Sequence, residues 1–199
     1  LKPTSRPPGF IRSRRLRVMI LRSKLVLPGL LLSSWLGPEL VLAEPRLGAL
    51  FPALTLRDHH AAKVTLDPEE AEDSFPGQRV VIWWYPQADT PGCTKEGEAF
   101  ESLHQAYRAK GVVILGASAD TVEDNRNFAN KFSFSYPLLC DVEKSIPTAL
   151  DVTSRRWAIM LGPDRKIEQY WPDISDPAMF PVTPLSFLAQ TEWDKHEEL

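Results

Sequence analysis

The sequence predicts an α/β domain with a mixed central sheet and helices on both faces. Residues 80–85 and 112–115 are continuous apolar segments of strand length, which is typical of strands buried on both faces. Residues 94–110 between them carry apolar side chains at helical spacing. Residues 157–170 form a hairpin pattern around a Gly-Pro-Asp-Arg turn. The strand–helix–strand alternation predicts parallel pairing, and the hairpin predicts an antiparallel edge.

The remaining elements follow from the same patterns in chain order. An alternating pair of segments before the first buried strand predicts a hairpin, and a polar, acidic loop follows it. After the second buried strand we expect a helix, a short strand and a brief helix, and the chain ends with an amphipathic helix. The predicted ranges are 53–57 and 62–66 for the hairpin, then 121–131, 136–140, 144–150 and about 184–196.

Residues 1–43 are predicted to be a leader, and residues 44–199 to be the folded domain. The leader contains eight basic residues and one acid, an apolar segment at 25–36, and small residues before a cleavage site at Ala43. Its charged part is too long for a signal peptide, so we expect translation to start at Met19. A secretory signal predicts export to the periplasm or another extracytoplasmic space. The alternatives are a transit peptide for an organelle such as a plastid, and an uncleaved anchor.

The charge of the domain argues against two classes of partner. The chain has 23 basic and 26 acidic residues, so with the leader set aside 15 basic and 25 acidic residues remain. A body this acidic gives no electrostatic reason to bind nucleic acid or anionic lipid. No segment approaches the roughly 18 charge-free apolar residues of a membrane span. We therefore expect no nucleic-acid partner, and no membrane partner for the mature domain.

The histidines and cysteines do not form a metal-binding pattern. None of the four histidines lies at ligand spacing from a cysteine or from another histidine. The adjacent pair His59 and His60 is predicted to be a solvated turn. The two cysteines, Cys93 and Cys140, are too few for a disulfide scaffold, and position 96 is Glu, so Cys-X-X-Cys is absent. We expect no metal and no cofactor.

The most informative segment is Pro-Gln-Ala-Asp-Thr-Pro-Gly-Cys at residues 86–93. It follows the first buried strand and opens the predicted helix. A cysteine in that position meets free backbone N–H groups and the positive end of the helix dipole, and both stabilise a thiolate. Because the strand ends there, the cysteine is predicted to lie at the edge of the sheet where ligands bind in open α/β folds.

The spacing Pro86, Thr90, Cys93 resembles the active-site signature of the peroxiredoxins. The fuller string Tyr-Pro-x-x-Asp-Thr-Pro-Gly-Cys-Thr-Lys-Glu at 85–96 is similar to the bacterioferritin comigratory protein (PrxQ) branch. The likeness covers about 47–188 and includes segments 111–120, 136–141 and 162–167. It implies a thioredoxin fold and a thiol-dependent peroxidase that works without metal, haem or flavin.

The resemblance also implies roles for individual residues. Cys93 would attack the peroxide and become a sulfenic acid. Arg156, with Arg155 as the adjacent alternative, would favour the thiolate and contact the peroxide. Thr90 would present its hydroxyl to the peroxide, while the Cys93 N–H would stabilise the developing negative oxygen.

Two further residues are given supporting roles. Pro86 would shield the sulfur from water and over-oxidation. Glu96, three residues after Cys93 on the first helical turn, would orient the arginine by a bidentate contact.

The chain departs from the branch at the position of the usual second cysteine. Many relatives carry a resolving cysteine five residues after the first, and here that residue is Glu98. Either an external thiol resolves the sulfenic acid, from thioredoxin, glutaredoxin or a small molecule, or Cys140 does so. Cys140 could also be a buried spectator or part of a static disulfide.

The resulting expectation is an antioxidant enzyme that reduces hydrogen peroxide and organic hydroperoxides, as a monomer or dimer. The alternative from another class is a non-catalytic redox sensor or binding module, in which oxidation of Cys93 is the signal. A disulfide oxidoreductase is the weakest reading, because the chain lacks Cys-X-X-Cys.

Overall fold

A computed structural model describes residues 45–67, 73–153 and 155–197, with side chains up to 191. The predicted leader and its start at Met19 lie outside the described residues and stay predictions. Within the part of the chain that is described, no helix is both long and apolar enough to cross a membrane.

Seven strands form one mixed sheet in the order β2-β1-β5-β4-β3-β6-β7. The pairs β3–β4 and β4–β5 are parallel, and the other neighbours are antiparallel. The predicted mixed sheet with helices on both faces is confirmed. The elements are β1 Leu54–Asp58, β2 Lys63–Leu66, β3 Arg79–Trp84, α1 Pro91–Ala109, β4 Val112–Ser118, α2 Val122–Phe132, β5 Leu138–Cys140, α3 Ser145–Ala149, β6 Trp157–Leu161, β7 Ile167–Trp171 and α4 Val182–Glu197.

Strand β3 is central because both of its faces are apolar. Alternate side chains enter different cores: Val81 and Trp83 pack with residues of α1, α2 and α4, whereas Val80, Ile82 and Trp84 pack on the face that carries α3. All five side chains are buried. A strand covered on both faces has no polar–apolar alternation, which is why it reads in the sequence as a continuous apolar segment.

Helix α1 begins at Pro91, three residues earlier than the spacing of apolar side chains indicates. Proline is favoured in the first turn because its φ suits the helix and its missing N–H has no acceptor there. Thr90 is the N-cap, and its carbonyl accepts the N–H of Thr94 at 2.8 Å. Cys93 therefore lies inside the first turn rather than before the helix.

Strand β4 extends to Ser118, three residues beyond the predicted end. Gly116 lacks strand propensity, but it lies between β3 and β5 and pairs with Trp83 on one side and Leu138 on the other. A Cβ there would approach Leu138 Cδ2 to 2.5 Å. The glycine that hides the strand in the sequence is therefore required by the packing of side chains across it.

The prediction of a solvated His59–His60 turn is wrong for His59. Its side chain is buried, and its Nδ1 accepts the backbone N–H of Leu138 at 3.0 Å. Arg126 donates to its carbonyl oxygen at 3.0 Å, and burial lowers the pKa of the imidazole. His59 satisfies a backbone group that no strand reaches, whereas His60 is exposed as expected.

Substitution Gly97→Ala tests the packing of the helix that carries Cys93. A Cβ at Gly97 would lie 2.4 Å from Phe134 Cζ, and that ring is held by stacking on Tyr136 at 5.5 Å. Overpacking of this kind should lower the free energy of unfolding by about 1 to 3 kcal/mol, measured by urea denaturation. Glu98→Ala, on the exposed side of the same turn, is the control. Unchanged stability in Gly97→Ala would contradict the described packing.

Candidate active site

The N-terminus of α1 presents Cys93 to the end of β3. Residues 86–90, hereafter the active-site loop, connect the strand to the helix. Gly92 and Cys93 lie in the first turn, where backbone N–H groups have no acceptor inside the helix. These N–H groups and the helix dipole make the surroundings of the sulfur favourable for negative charge.

Arg156 supplies the positive charge beside the sulfur. It directly precedes β6, which pairs antiparallel with β3 so that Trp157 lies opposite Trp84. Its Nη2 donates to Cys93 Sγ at 3.1 Å. Of the two adjacent arginines, the structure brings this one to the cysteine. Arg155 is exposed and lines a separate surface cavity of about 280 Å³ with Tyr170 and Asp173.

Glu96 binds the other end of the same guanidinium. Arg156 Nη1 donates to its Oε2, while its Oε1 has no hydrogen-bond partner among the residues that the structure describes. The predicted bidentate contact is therefore wrong, because only one carboxylate oxygen meets the guanidinium. The residue is 0% exposed. Burial disfavours the carboxylate and raises the pKa of Glu96 to about 7, although Arg156 acts in the opposite direction.

One cation therefore serves two acids, the Cys93 thiol and the Glu96 carboxyl. Burial works against the charged guanidinium, but the two anionic partners outweigh it and raise the pKa of Arg156. Cys93 is also 0% exposed, so these charges interact with little solvent between them. When both acids ionise the trio carries a net negative charge, and protonation of Glu96 leaves Arg156 to the thiolate alone.

Gly92 makes room for this contact, a role that the sequence patterns did not predict. A Cβ at Gly92 would lie 3.2 Å from Arg156 Nη2 and 3.9 Å from Pro177 Cγ. A larger residue would press on the guanidinium and shift it by a few tenths of an ångström, whereas Pro177 would stay in ordinary contact. The signal in the sequence is the glycine directly before the cysteine, but the approaching group comes from a strand more than sixty residues later.

Thr90 and Pro86 occupy the two ends of the active-site loop. The Thr90 hydroxyl donates to the Gln87 carbonyl at 3.1 Å, which leaves its oxygen lone pairs free to accept a hydrogen bond. Pro86 is exposed at the start of the loop. The roles of both residues toward a peroxide stay predictions.

Cys140 belongs to a different hydrogen-bond network. It lies at the end of β5, which β4 separates from β3. Asn125 Nδ2 donates to its sulfur at 3.4 Å, and Tyr85 donates to Asn125 Oδ1 at 2.7 Å. Burial raises the pKa of the Cys140 thiol. Both cysteines are free, so the structure contains no static disulfide between Cys93 and Cys140.

The network around Cys140 is likewise not predicted by any pattern in the sequence. Ser118 completes it by accepting a hydrogen bond from Asn125 at 3.1 Å. Tyr85 is part of the signature string, and its hydroxyl lies close enough to both sulfurs to be affected by their charge. In the described ranges, no three His, Cys, Asp or Glu side chains are grouped so as to hold a metal ion.

Residues 47–170 match the sequence model of the AhpC/TSA family. A chloroplastic peroxiredoxin Q of Sedum lineare is 33% identical over 130 residues, which cover 65% of this chain and 67% of that protein. Peroxiredoxin Bcp of Xanthomonas campestris is 34% identical over 107 residues, covering 48% of this chain and 67% of that protein. The chain spans between 44% and 67% of the length of the first three plastid relatives.

The comparison with solved structures also finds peroxiredoxin Q proteins. A structure of Xanthomonas campestris peroxiredoxin Q superimposes with a TM-score of 0.62 and 29% identity, covering 69% of this chain and 90% of that chain. The mixed sheet with its flanking helices is thus the thioredoxin fold that the sequence predicts.

Substitution Glu96→Gln should change how stability depends on pH. A carboxyl whose pKa rises from 4.5 to about 7 on folding stabilises the native state below pH 4.5, and this contribution is lost as the pH rises to about 7. The free energy of unfolding of the wild type should therefore fall relative to that of Glu96→Gln across this window, by up to about 3 kcal/mol. Urea denaturation at several pH values measures the difference.

Glu98→Gln is the matched control, because Glu98 is exposed on the same helix. Its difference from the wild type should not change across the window. If Glu96→Gln behaves like this control, Glu96 does not bind a proton within the window, and the described balance of burial and charge is wrong.

Proposed function

The chain belongs to the AhpC/TSA family as a peroxiredoxin similar to the Q/Bcp proteins, and we propose that it reduces peroxides at Cys93 with electrons from a thiol. The observation that carries this proposal is the 3.1 Å hydrogen bond from Arg156 to the Cys93 sulfur. A guanidinium on a buried cysteine at a helix N-terminus favours the thiolate, which is the nucleophile in peroxide reduction.

The reaction is a displacement at oxygen. The thiolate attacks the terminal oxygen of R–O–O–H, so the S–O bond forms while the O–O bond breaks, and Cys93 becomes a sulfenic acid. The leaving alkoxide, or hydroxide from hydrogen peroxide, takes up a proton and departs as alcohol or water. Sulfur loses two electrons in this step, and the peroxide gains them.

The surrounding groups have complementary tasks. Arg156 can remain on the sulfur while its guanidinium contacts the peroxide, and the Cys93 N–H lies where negative charge develops on oxygen. The Thr90 hydroxyl already donates to Gln87, so we assign it the role of acceptor for the peroxide O–H. Because Cys93 is fully buried, a local opening of the site must precede binding of the peroxide.

We propose that organic hydroperoxides are substrates as well as hydrogen peroxide. Cys93 belongs to an apolar cluster against which Ile174 and Trp171 pack. Ile174 is fixed near the site, because its N–H donates to the Arg156 carbonyl at 3.3 Å. A solved relative from Xanthomonas campestris, 28% identical with a TM-score of 0.62, is described in terms of alkyl peroxide reduction. This supports an alkyl substrate here.

We propose that an external thiol restores Cys93. Position 98 is an exposed Glu, and Cys140 is held by Asn125 with a raised pKa, which makes it a poor nucleophile at neutral pH. The first thiol displaces water from the sulfenic acid and forms a mixed disulfide. A second thiol then releases Cys93. Thioredoxin, glutaredoxin and small thiols are the candidate donors.

We propose that the leader determines the compartment of the protein. Residues 1–43 would direct the domain either by export or into a plastid. Several relatives are named chloroplastic, which supports the second destination. The domain limits, 1–43 and 44–199, are part of the same proposal.

Turnover of peroxide by single-cysteine variants tests the function. Cys93→Ser should abolish peroxide consumption in the presence of a reducing thiol, because the nucleophile is lost. Cys140→Ser should retain turnover close to that of the wild type, and intact mass after one equivalent of peroxide should show one added oxygen. If Cys93 of the wild type is oxidised by one equivalent of peroxide but no further peroxide is consumed, the protein is a redox sensor instead. Loss of turnover in Cys140→Ser would make Cys140 the resolving residue.

A further inference from the structure

Asp120 joins the active-site loop to the end of β4. It follows Ser118, the last residue of that strand, by two positions. Its Oδ2 accepts the backbone N–H of Ala88, in the middle of the loop, at 2.7 Å. Its own N–H donates to Ser118 Oγ at 3.2 Å. A carboxylate that accepts a backbone N–H forms one of the stronger hydrogen bonds in proteins.

Buried hydrogen bonds hold the end of β4, from which Asp120 extends. Ser118 also accepts a hydrogen bond from Asn125 at 3.1 Å, and Asn125 accepts one from Tyr85 at 2.7 Å. Tyr85 directly precedes the loop, so the end of β3, the end of β4 and the start of α2 are tied together by buried side chains. Asp120 extends that fixed base outward to Ala88.

The loop itself has few other supports. Pro86, Gln87 and Asp89 are exposed, and Asp89 adopts a left-handed φ of 55°, which is costly for a residue other than glycine. A cavity of about 370 Å³ lies between the loop and α2. Ala88 packs against the apolar cluster that contains Cys93, but its neighbours in the loop are exposed, so polar connections also contribute to holding the loop in place.

A second connection exists at the outer end of the loop. Lys131 Nζ contacts both carboxylate oxygens of Asp89, at 2.8 and 2.7 Å. Both side chains are about half exposed, so solvent screens the pair and it contributes little. The half-buried bond between Asp120 and Ala88 is the stronger of the two.

The position of Ala88 matters because the residue before it orients the Thr90 hydroxyl. Gln87, on one side, accepts the Thr90 hydroxyl, and Thr90 is both the N-cap of α1 and the proposed contact for peroxide. A shift of Ala88 would move the Gln87 carbonyl and so redirect the Thr90 hydroxyl. The contact of Arg156 with Cys93 involves no atom of the loop and would persist.

We propose that Asp120 is a positioning residue, which holds the active-site loop so that the Thr90 hydroxyl is aligned with a peroxide bound at Cys93. This inference rests on the proposed peroxidase function. The two residues then have different roles. Arg156 favours the ionised form of Cys93, whereas Asp120 fixes the position of the Thr90 hydroxyl relative to the peroxide. Removing Asp120 therefore slows the reaction with peroxide while the thiolate remains.

The test compares Asp120→Ala and Asp120→Asn with the wild type in the full chain. Asp120→Ala should lower the second-order rate constant for hydrogen peroxide between about tenfold and a hundredfold, the cost of a small misplacement of reacting groups. Its ultraviolet thiolate absorbance at neutral pH should equal that of the wild type. Asp120→Asn keeps an oxygen that accepts the Ala88 N–H and should retain most of the rate. Asp164→Ala is the matched control, since Asp164 accepts a backbone N–H in an exposed hairpin turn.

Three results would overturn the inference. They are an unchanged peroxide rate in Asp120→Ala, a parallel loss of thiolate absorbance, and a rate in Asp120→Asn as low as that in Asp120→Ala. If Asp120→Ala does not fold, Asp120→Ser is measured in its place, because its shorter side chain also fails to reach Ala88. A wild type without peroxide turnover would remove the proposed function itself, whereas a rate in Asp120→Ala equal to that of the wild type removes only this inference.

Discussion

The site depends on one partly buried guanidinium shared by two acids. Arg156 contacts the Cys93 sulfur with one nitrogen and the Glu96 carboxylate with the other. Both side chains are fully buried, and a buried charge is costly unless an opposite charge accompanies it. The backbone of Arg156 has its own contact, because its carbonyl accepts the N–H of Ile174 at 3.3 Å. We therefore propose that the reactivity of Cys93 depends on three residues, two on α1 and one directly before β6.

The fold provides the two elements at the required separation. The antiparallel pair β3–β6 brings the residue before Trp157 to the end of β3, where the active-site loop starts. Helix α1 then returns over the sheet with Cys93 in its first turn and Glu96 one turn later, on the same side. Gly92 removes the side chain that would separate helix from guanidinium. The contact between Arg156 and Cys93 thus depends on the pairing of β3 with β6, on the position of Cys93 in the first turn of α1 and on Gly92.

Local patterns predicted most of the fold, and long-range contacts explain what they did not. The continuous apolar segments at β3 and β4 and the helical spacing after Cys93 gave the correct element types. His59 was wrongly predicted as solvated because its partner, the Leu138 N–H, lies on a distant strand. The end of β4 was not predicted because Gly116 has low strand propensity. The glycine is required there by side chains of the two neighbouring strands, Leu138 and Trp83, which lie close to it. The signature string placed Cys93, Thr90 and Glu96, whereas Asp120 and Asn125 act through side-chain contacts that no spacing rule encodes.

We propose that Arg156 holds Cys93 as a thiolate, and the ultraviolet absorbance of the thiolate reports this state. The signal is the difference between a protein and its Cys93→Ser counterpart at neutral pH, compared for the wild type, Arg156→Met and Arg155→Met. Loss of a hydrogen bond to a charged group should reduce the thiolate signal of Arg156→Met by about tenfold or more. Arg155→Met should match the wild type, because Arg155 is exposed and lines a separate cavity. A thiolate signal in Arg156→Met equal to that of the wild type would contradict the account.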